Sequence, residues 1–153
     1  MATNFDLISE RELRSLVSGA VERAAKKVQG DLLMEARRNI QKYYDQYDPD
    51  IYIRTDNLRN GVDHIPILRK GSSGSLISFE VGFQYDGSKM GAYPDGGDPV
   101  IVFKNFLDGI HPNTFVHGKS QDELMDWYVD KYLGKKIDGY MQSELIAALS
   151  KLM

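Results

Sequence analysis

The sequence predicts an α+β protein with a long N-terminal helix, a small antiparallel β-sheet and then two or three C-terminal helices. Three patterns predict this class: an apolar stripe at helical spacing near the N-terminus, a central run of alternating apolar residues, and a second helical stripe near the C-terminus. At 153 residues we expect one domain over residues 1–153. It divides into a long helix at about 9–44, a sheet region at about 51–84, and a loop and helical region at about 85–153.

The N-terminal helix is predicted to begin at a capping box, in which Ser9 and Glu12 satisfy each other's backbone N–H groups. We expect it to continue or kink at Gly30 and to end before Pro49. At ~1.5 Å per residue its length is about 50 Å, more than the diameter of such a domain, so part of its stripe is expected to face another subunit. The stripe consists of Leu13, Leu16, Val17, Ala20, Val21, Ala24, Val28, Leu32, Ala36, Ile40 and Tyr43.

The sheet is predicted from two apolar runs, residues 65–69 and 76–83, joined by a Gly/Ser-rich hairpin loop at 71–75. Pro66 cannot donate a backbone hydrogen bond, so its strand is expected at an edge or to start late. In the second run apolar and small or polar residues alternate, which is typical of a half-buried strand. The apolar positions are Ile77, Phe79, Val81 and Phe83.

The C-terminal region is predicted to be mainly helical. Residues 100–108 are interpreted as a short helix, although Val100-Ile101-Val102-Phe103 is equally typical of a strand. A second capping box at Ser120 and Glu123 opens a helix that Gly134 is expected to end. We expect Leu124, Tyr128 and Tyr132 to point inward. A last helix is indicated by Ile137, Met141, Leu145, Ala148, Leu149 and Leu152.

Composition excludes several function classes. The 19 Lys and Arg residues against 22 Asp and Glu give a net charge of −3, which argues against a dedicated nucleic-acid binder. The absence of cysteine excludes disulfides, thiolate metal sites and thiol nucleophiles. No secretory signal pattern and no membrane-spanning run is present, so we expect a soluble protein made in the cytosol.

The polar residues predict no catalytic, metal or cofactor site. His64, His111 and His117 lack the spacing of a metal site and are interpreted as surface loop residues. Asp45, Asp48 and Asp50 lack the glycine and the closing glutamate of a calcium loop, so we interpret them as turn carboxylates. The glycines at 96 and 97 precede no Gly-Lys-Ser/Thr, which excludes a phosphate-binding P-loop there. We therefore expect that the protein is not an enzyme.

Two surfaces are candidate binding sites. Basic residues on the first helix predict either a solvated face or a docking surface for an acidic neighbour or for phosphates. They are Arg11, Arg14, Arg23, Lys26, Lys27, Arg37, Arg38 and Lys42. Aromatic residues also cluster where the helix meets the sheet, near Arg54, and suit an interface or the filling of that junction equally well. These are Tyr43, Tyr44, Tyr47 and Tyr52.

Residues 36–60 have a recognisable order: a long helix ending in Tyr43-Tyr44, then Asp48-Pro49, then Arg54-Thr55-Asp56-Asn57-Leu58-Arg59-Asn60. This order resembles the minor head–tail joining and tail-completion proteins of long-tailed bacteriophages. In that family a long helix leads through a proline-containing turn to a Thr-Gly-x-Leu-Arg-x-Ser motif, a β-sheet and a further helix. Thr55, Leu58 and Arg59 match the motif, whereas Asp56 replaces its glycine and Asn60 its serine.

The resemblance implies a structural protein of the virion, present in the host cytoplasm during assembly, that joins the head and portal complex to the tail without enzymatic activity. Its implied partners are copies of itself in a ring, the portal or adaptor protein, and the tail tube or tail terminator protein. No cofactor, membrane or specific nucleic acid is expected. For the ring contact, we expect the first helix to meet a sheet edge of the neighbouring copy. The implied interface residues are Tyr44, Tyr52, Arg54, Thr55, Asn57, Leu58 and Arg59.

The alternative function is a small intracellular binding or adaptor module. Such a module would contact nucleic acid through the basic face of the first helix, and its binding would weaken steeply with salt.

Overall fold

A computed structural model describes residues 8–45, 63–73, 76–86, 104, 107–108 and 120–152. The predicted α+β class is confirmed, with the long helix first, a two-stranded antiparallel sheet next and helix at the C-terminus. The elements are α1 (Glu10–Asp45), β1 (Asp63–Ser73), β2 (Leu76–Asp86), α2 (Gln121–Tyr128), a π-helical turn (Val129–Leu133) and α3 (Gly134–Leu149).

Helix α1 spans 36 residues, or about 54 Å at ~1.5 Å per residue. Its predicted capping box is confirmed: the Glu12 amide donates to Ser9 Oγ at 3.3 Å, and the Ser9 amide donates to Glu12 Oε2 at 2.9 Å. The helix passes through Gly30 without a break. Its stripe is covered within one chain at Ala20, Ala24, Val28, Leu32, Ala36 and Ile40. Leu13, at the start of the stripe, is exposed, so the other elements of the chain do not cover the stripe at the N-terminal end of α1.

Strands β1 and β2 pair from Asp63↔Asp86 to Ser73↔Leu76. The predicted alternation is confirmed, because the four apolar side chains from Ile77 to Phe83 are half-buried while Ser78 and Glu80 are exposed. The hairpin loop predicted at 71–75 is too long, since residues 71–73 belong to the paired strand. Gly71 permits this pairing: a Cβ there would lie 2.8 Å from Ser78 Oγ on the opposite strand.

The C-terminal helix begins at the predicted capping box, with the Glu123 amide donating to Ser120 Oγ at 3.2 Å. The prediction that Gly134 ends it is wrong. Gly134 is helical, with φ −53° and ψ −45°, and the π-helical turn joins α2 to α3. The inward position of Tyr132 is also wrong, since this side chain is 50% exposed while Leu133 is 2% exposed. A π turn spaces residues by five instead of four, so the residue that faces inward after Tyr128 moves from 132 to 133.

The core lies where α1 meets both the hairpin and the C-terminal helix. Val28, Leu32, Tyr128 and Leu133 are buried together, and side chains from both neighbours pack around them: Val81, Phe83, Met125 and Tyr140. Farther along α3, Ala148 is buried and the predicted stripe is half-buried, except for the exposed Ile137.

Two further predictions from the sequence concern the short helix at 100–108 and the lack of a membrane-spanning run. In the segment predicted at 100–108, Lys104, Leu107 and Asp108 are helical and the remainder lies outside the described residues. Among the helices that the structure describes, none is both long and apolar enough to cross a membrane.

Candidate functional site

Most of the interface residues expected from the family resemblance lie outside the described part of the chain. Tyr44 belongs to α1 by its backbone, but its side chain is not described. Outside the described residues are Tyr52, Arg54, Thr55, Asn57, Leu58 and Arg59, together with Asp48, Asp50, His111 and His117. Their proposed roles stay predictions.

His64 is not the surface loop residue that the sequence indicated. It lies on β1 opposite Tyr85, buried on the inward face of the hairpin, with ring centroids 5.3 Å from Phe83 and 5.1 Å from Tyr85. Burial raises the pKa of Tyr85 to about 12, and the charge of Asp122 adds to this.

Within the described ranges, no group of three or more His, Asp or Glu residues is arranged to hold a metal ion.

The described chain contains a groove between α1 and the C-terminal helix, with a volume of about 290 Å³. We call it the α1–α2 groove. Helix α1 contributes one wall and α2, with the π-helical turn and the start of α3, contributes the other. Its lining residues are Asp31, Met34, Glu35, Arg38, Lys42, Trp127, Tyr128, Tyr132 and Lys136.

The C-terminal wall of the groove is aromatic and accessible. Trp127 is 44% exposed, and its ring meets Tyr132 edge to face at a centroid distance of 5.1 Å. Tyr132 in turn stacks on Tyr128 at 6.0 Å. Across the groove, Met34 is also exposed. The π-helical turn creates this wall, because it turns Tyr132 outward to the side of Trp127.

Two carboxylates lie beneath the accessible surface of the groove. Asp31 Oδ2 accepts hydrogen bonds from the Tyr140 hydroxyl at 2.7 Å and from Lys136 Nζ at 3.1 Å. These hydrogen bonds raise the pKa of both Tyr140 and Lys136. One turn later on α1, the Glu35 side chain is 7% exposed and pairs with Arg38 at 3.3 Å and Lys42 at 3.7 Å.

The accessible charge of the groove is therefore positive. Arg38 is 62% exposed, and Lys42 and Lys136 are about half exposed, while both acids are covered. An incoming molecule meets aromatic rings on the C-terminal wall and the cationic groups of Arg38 and Lys42 on the α1 wall. Aromatic rings facing exposed cations can bind apolar groups that carry or neighbour a negative charge.

Six of the eight basic residues predicted on this face of α1 are paired with acids within the chain. Glu144 on α3 accepts from Arg23 Nε at 2.6 Å and pairs with Lys27 at 2.7 Å, and these two contacts lower its pKa. With the Asp31 contacts they form a polar seam along α1 and α3: Arg23, Lys27 and Asp31 on one helix and Lys136, Tyr140 and Glu144 on the other. Further ion pairs join Arg14 to Glu10, Lys26 to Glu22, and both Arg38 and Lys42 to Glu35.

Comparison with known proteins gives no assignment: the chain matches no family model, no curated protein and no solved structure. Sequence reasoning did not single out Trp127 or Met34. A signal was present, since the single tryptophan of the chain lies between Asp126 and Tyr128 on a helix whose predicted inward positions did not include it.

Proposed function

We propose that this chain is a non-enzymatic structural protein of a phage virion, located at the neck, where it joins the head and portal complex to the tail. The proposal starts from the resemblance of residues 36–60 to head–tail joining and tail-completion proteins. The order of helix, sheet and helix supports it, because the same order belongs to that family. The proposed partners are further copies in a ring, the portal or adaptor protein, and the tail tube or tail terminator protein.

The observation that carries the proposal is the accessible aromatic and cationic surface of the α1–α2 groove. Trp, Tyr, Met and Arg are the residues that protein interfaces favour, and here Trp127, Tyr132, Met34 and Arg38 line one groove. Large aromatic side chains left half exposed are stabilised when a partner covers them. The groove thus supports a role in assembly.

The ring contact is proposed between α1 of one copy and a hairpin edge of the next. Leu13 is exposed at the end of α1 where the cover of its apolar stripe thins. In the described two-stranded sheet each strand has an edge, which is a surface that pairs readily with another chain. Two different surfaces on one subunit meet the requirement for closing a ring.

The alternative as a nucleic-acid-binding module has less support. Its binding surface would be the basic face of α1, where six of the eight basic residues already pair with four carboxylates, those of Glu10, Glu22, Glu35 and Glu144. Phosphate binding along the first half of this face would have to displace or share the contacts of Arg23 and Lys27 with Glu144.

Disruption of the gene in the phage that carries it tests the proposal, with the particles viewed by negative-stain electron microscopy. Filled heads beside separate, finished tails are expected. Supplying the wild-type gene on a plasmid should restore joined particles, and a Trp127→Ala/Tyr132→Ala variant should restore fewer. Ile146→Ala, which removes an exposed apolar side chain outside the groove, is the matched control. Normally tailed particles from the disrupted phage would contradict the proposal.

A further inference from the structure

We propose that the α1–α2 groove binds an acidic segment of a partner protein. The segment inserts one apolar side chain against Trp127 and Tyr132 and places its carboxylates against Arg38 and Lys42. This inference deepens the proposed function and rests on it only in taking the partner to be a protein of an assembly. The binding chemistry follows from the groove itself.

The size of the groove fits an inserted side chain. Its volume of about 290 Å³ is just below the roughly 300–1,000 Å³ of sites that enclose small molecules. The aromatic pair Trp127 and Tyr132 offers ring faces and edges on one wall, and the exposed Met34 offers an adaptable thioether on the other. Because the groove is concave, the surface that fills it must project. A segment with one protruding apolar residue meets this requirement, whereas a second copy meeting groove to groove leaves it empty.

The charge of the groove specifies an acidic segment. Glu35 and Asp31 are covered, so a ligand does not meet their negative charge directly, while the three cations that pair with them remain between 44% and 62% exposed. In the described structure the Arg38 guanidinium, which carries five N–H donors, contacts Glu35 through Nη1. Carboxylates of a partner would bind these cations through charge-assisted hydrogen bonds.

The neighbouring acids favour a peptide over a nucleic acid. Asp126 and Asp130 are exposed and flank Trp127 along the C-terminal helix, and Asp122 and Glu123 lie in the first turn of α2. A nucleic acid carries a phosphate at every nucleotide and would bring negative charge to both walls. A peptide can place its carboxylates on the α1 side alone, where Arg38 and Lys42 lie.

Selection from a displayed library of random short peptides on the purified full-length chain tests the inference. We expect enriched peptides to combine acidic residues with a large apolar residue. Trp127 is the only tryptophan, so its emission reports directly on binding when the best peptide is titrated. Arg38→Gln combined with Lys42→Gln should weaken binding about tenfold or more, with a smaller salt dependence. Tyr132→Ala should weaken it by a similar factor because it removes the anchor contact.

Lys26→Gln is the matched control, since Lys26 is an exposed lysine of α1 that pairs with Glu22 outside the groove, and it should leave the affinity unchanged. Circular dichroism verifies that each variant is folded. Enrichment of neutral or basic peptides, or equal binding by the groove variants, would overturn the inference. The inference would also be overturned if a random single-stranded oligonucleotide, titrated in the same way, bound with higher affinity than the best peptide. These measurements need no phage, so a failure here is distinct from a normal phenotype after gene disruption.

Discussion

Glu144 shows how single residues join the two long helices. Both of its carboxylate oxygens are engaged, one by Arg23 and the other by Lys27, and the Lys27 ammonium also lies 5.6 Å from the centroid of the Tyr140 ring. The carboxylate is well covered although its partners are half exposed. A single acid on α3 therefore holds two bases one turn apart on α1.

The lowered pKa of Glu144 predicts how this contact depends on pH. A carboxyl whose pKa falls below its ordinary 4.5 on folding stabilises the native state above that pH, and the contribution is lost as the pH falls through the lowered value. We expect Glu144→Gln to lower the unfolding midpoint at neutral pH, and the difference from the wild type to shrink as the solution is acidified below 4.5. Thermal melts followed by circular dichroism across this range measure it.

Glu80→Gln serves as the comparison for Glu144→Gln. Glu80 also pairs with an arginine, Arg69 at 3.6 Å, but both side chains are well exposed on the outer face of the hairpin. Exposed pairs of this kind contribute little, so this variant should melt close to the wild type at every pH. A Glu144→Gln difference that persisted in acid would contradict the linkage argument.

Among the secondary-structure elements, helix α1 contains a glycine, Gly30, that lowers its helix propensity and makes no packing contact that requires a glycine. Gly30 is exposed in the middle of the helix, and a Cβ added there would meet nothing within 4 Å. Because alanine is a better helix former by about 1 kcal/mol, Gly30→Ala should raise the free energy of unfolding by about that amount. Urea unfolding measures the change.

Gly71→Ala is the opposite case and controls for the substitution itself. Its Cβ would approach Ser78 Oγ to 2.8 Å across the strand pair, so the serine must rotate or the strands must separate. We expect no gain in the free energy of unfolding there, and a loss if the strands shift. A stabilised Gly71→Ala together with a destabilised Gly30→Ala would show that helix propensity does not govern α1.

The elements also show how far sequence reasoning extends. Both capping boxes and the alternation of β2 were predicted, because each depends on residues near one another in the chain. The π-helical turn was not predicted. A constant α-helical period places Tyr132 inward after Tyr128, and Gly134 is a residue type that commonly ends a helix. The groove could not be predicted either: Met34 and Trp127 come together only when α1 and α2 pack. The interface residues predicted between 52 and 59 lie outside the described residues and stay predictions.

The part of the molecule that the structure describes is organised around α1, on which the hairpin and the C-terminal helix both pack. Polar contacts tie each to it as well: the Gln29 side chain donates to the Ile67 carbonyl of the hairpin at 2.8 Å, and Lys136 of the C-terminal helix donates to Asp31 Oδ2 at 3.1 Å. Neither the hairpin nor the C-terminal helix can keep its buried face without α1. The described parts should therefore unfold together.

Cooperative unfolding can be tested with two signals. Far-ultraviolet circular dichroism follows the helices, dominated by α1, and emission from Trp127 follows the C-terminal helix. We expect the two urea transitions to coincide, as they do in a two-state protein. The Gly30→Ala variant should move both by the same amount. A Trp127 transition at lower urea would mean that the C-terminal helix separates from a folded α1.

The polar seam between α1 and α3 also disfavours packing of these two helices in a shifted register. Alanines make up half of the covered stripe of α1, namely Ala20, Ala24 and Ala36, and such small side chains alone would let a facing helix slip lengthwise. If α3 slid by one turn, Glu144 would approach Asp31 in one direction, and Lys136 would approach Lys27 in the other. Either slip brings like charges together. The seam thus favours one register of the two helices, and this register determines which residues of α1 lie opposite Trp127.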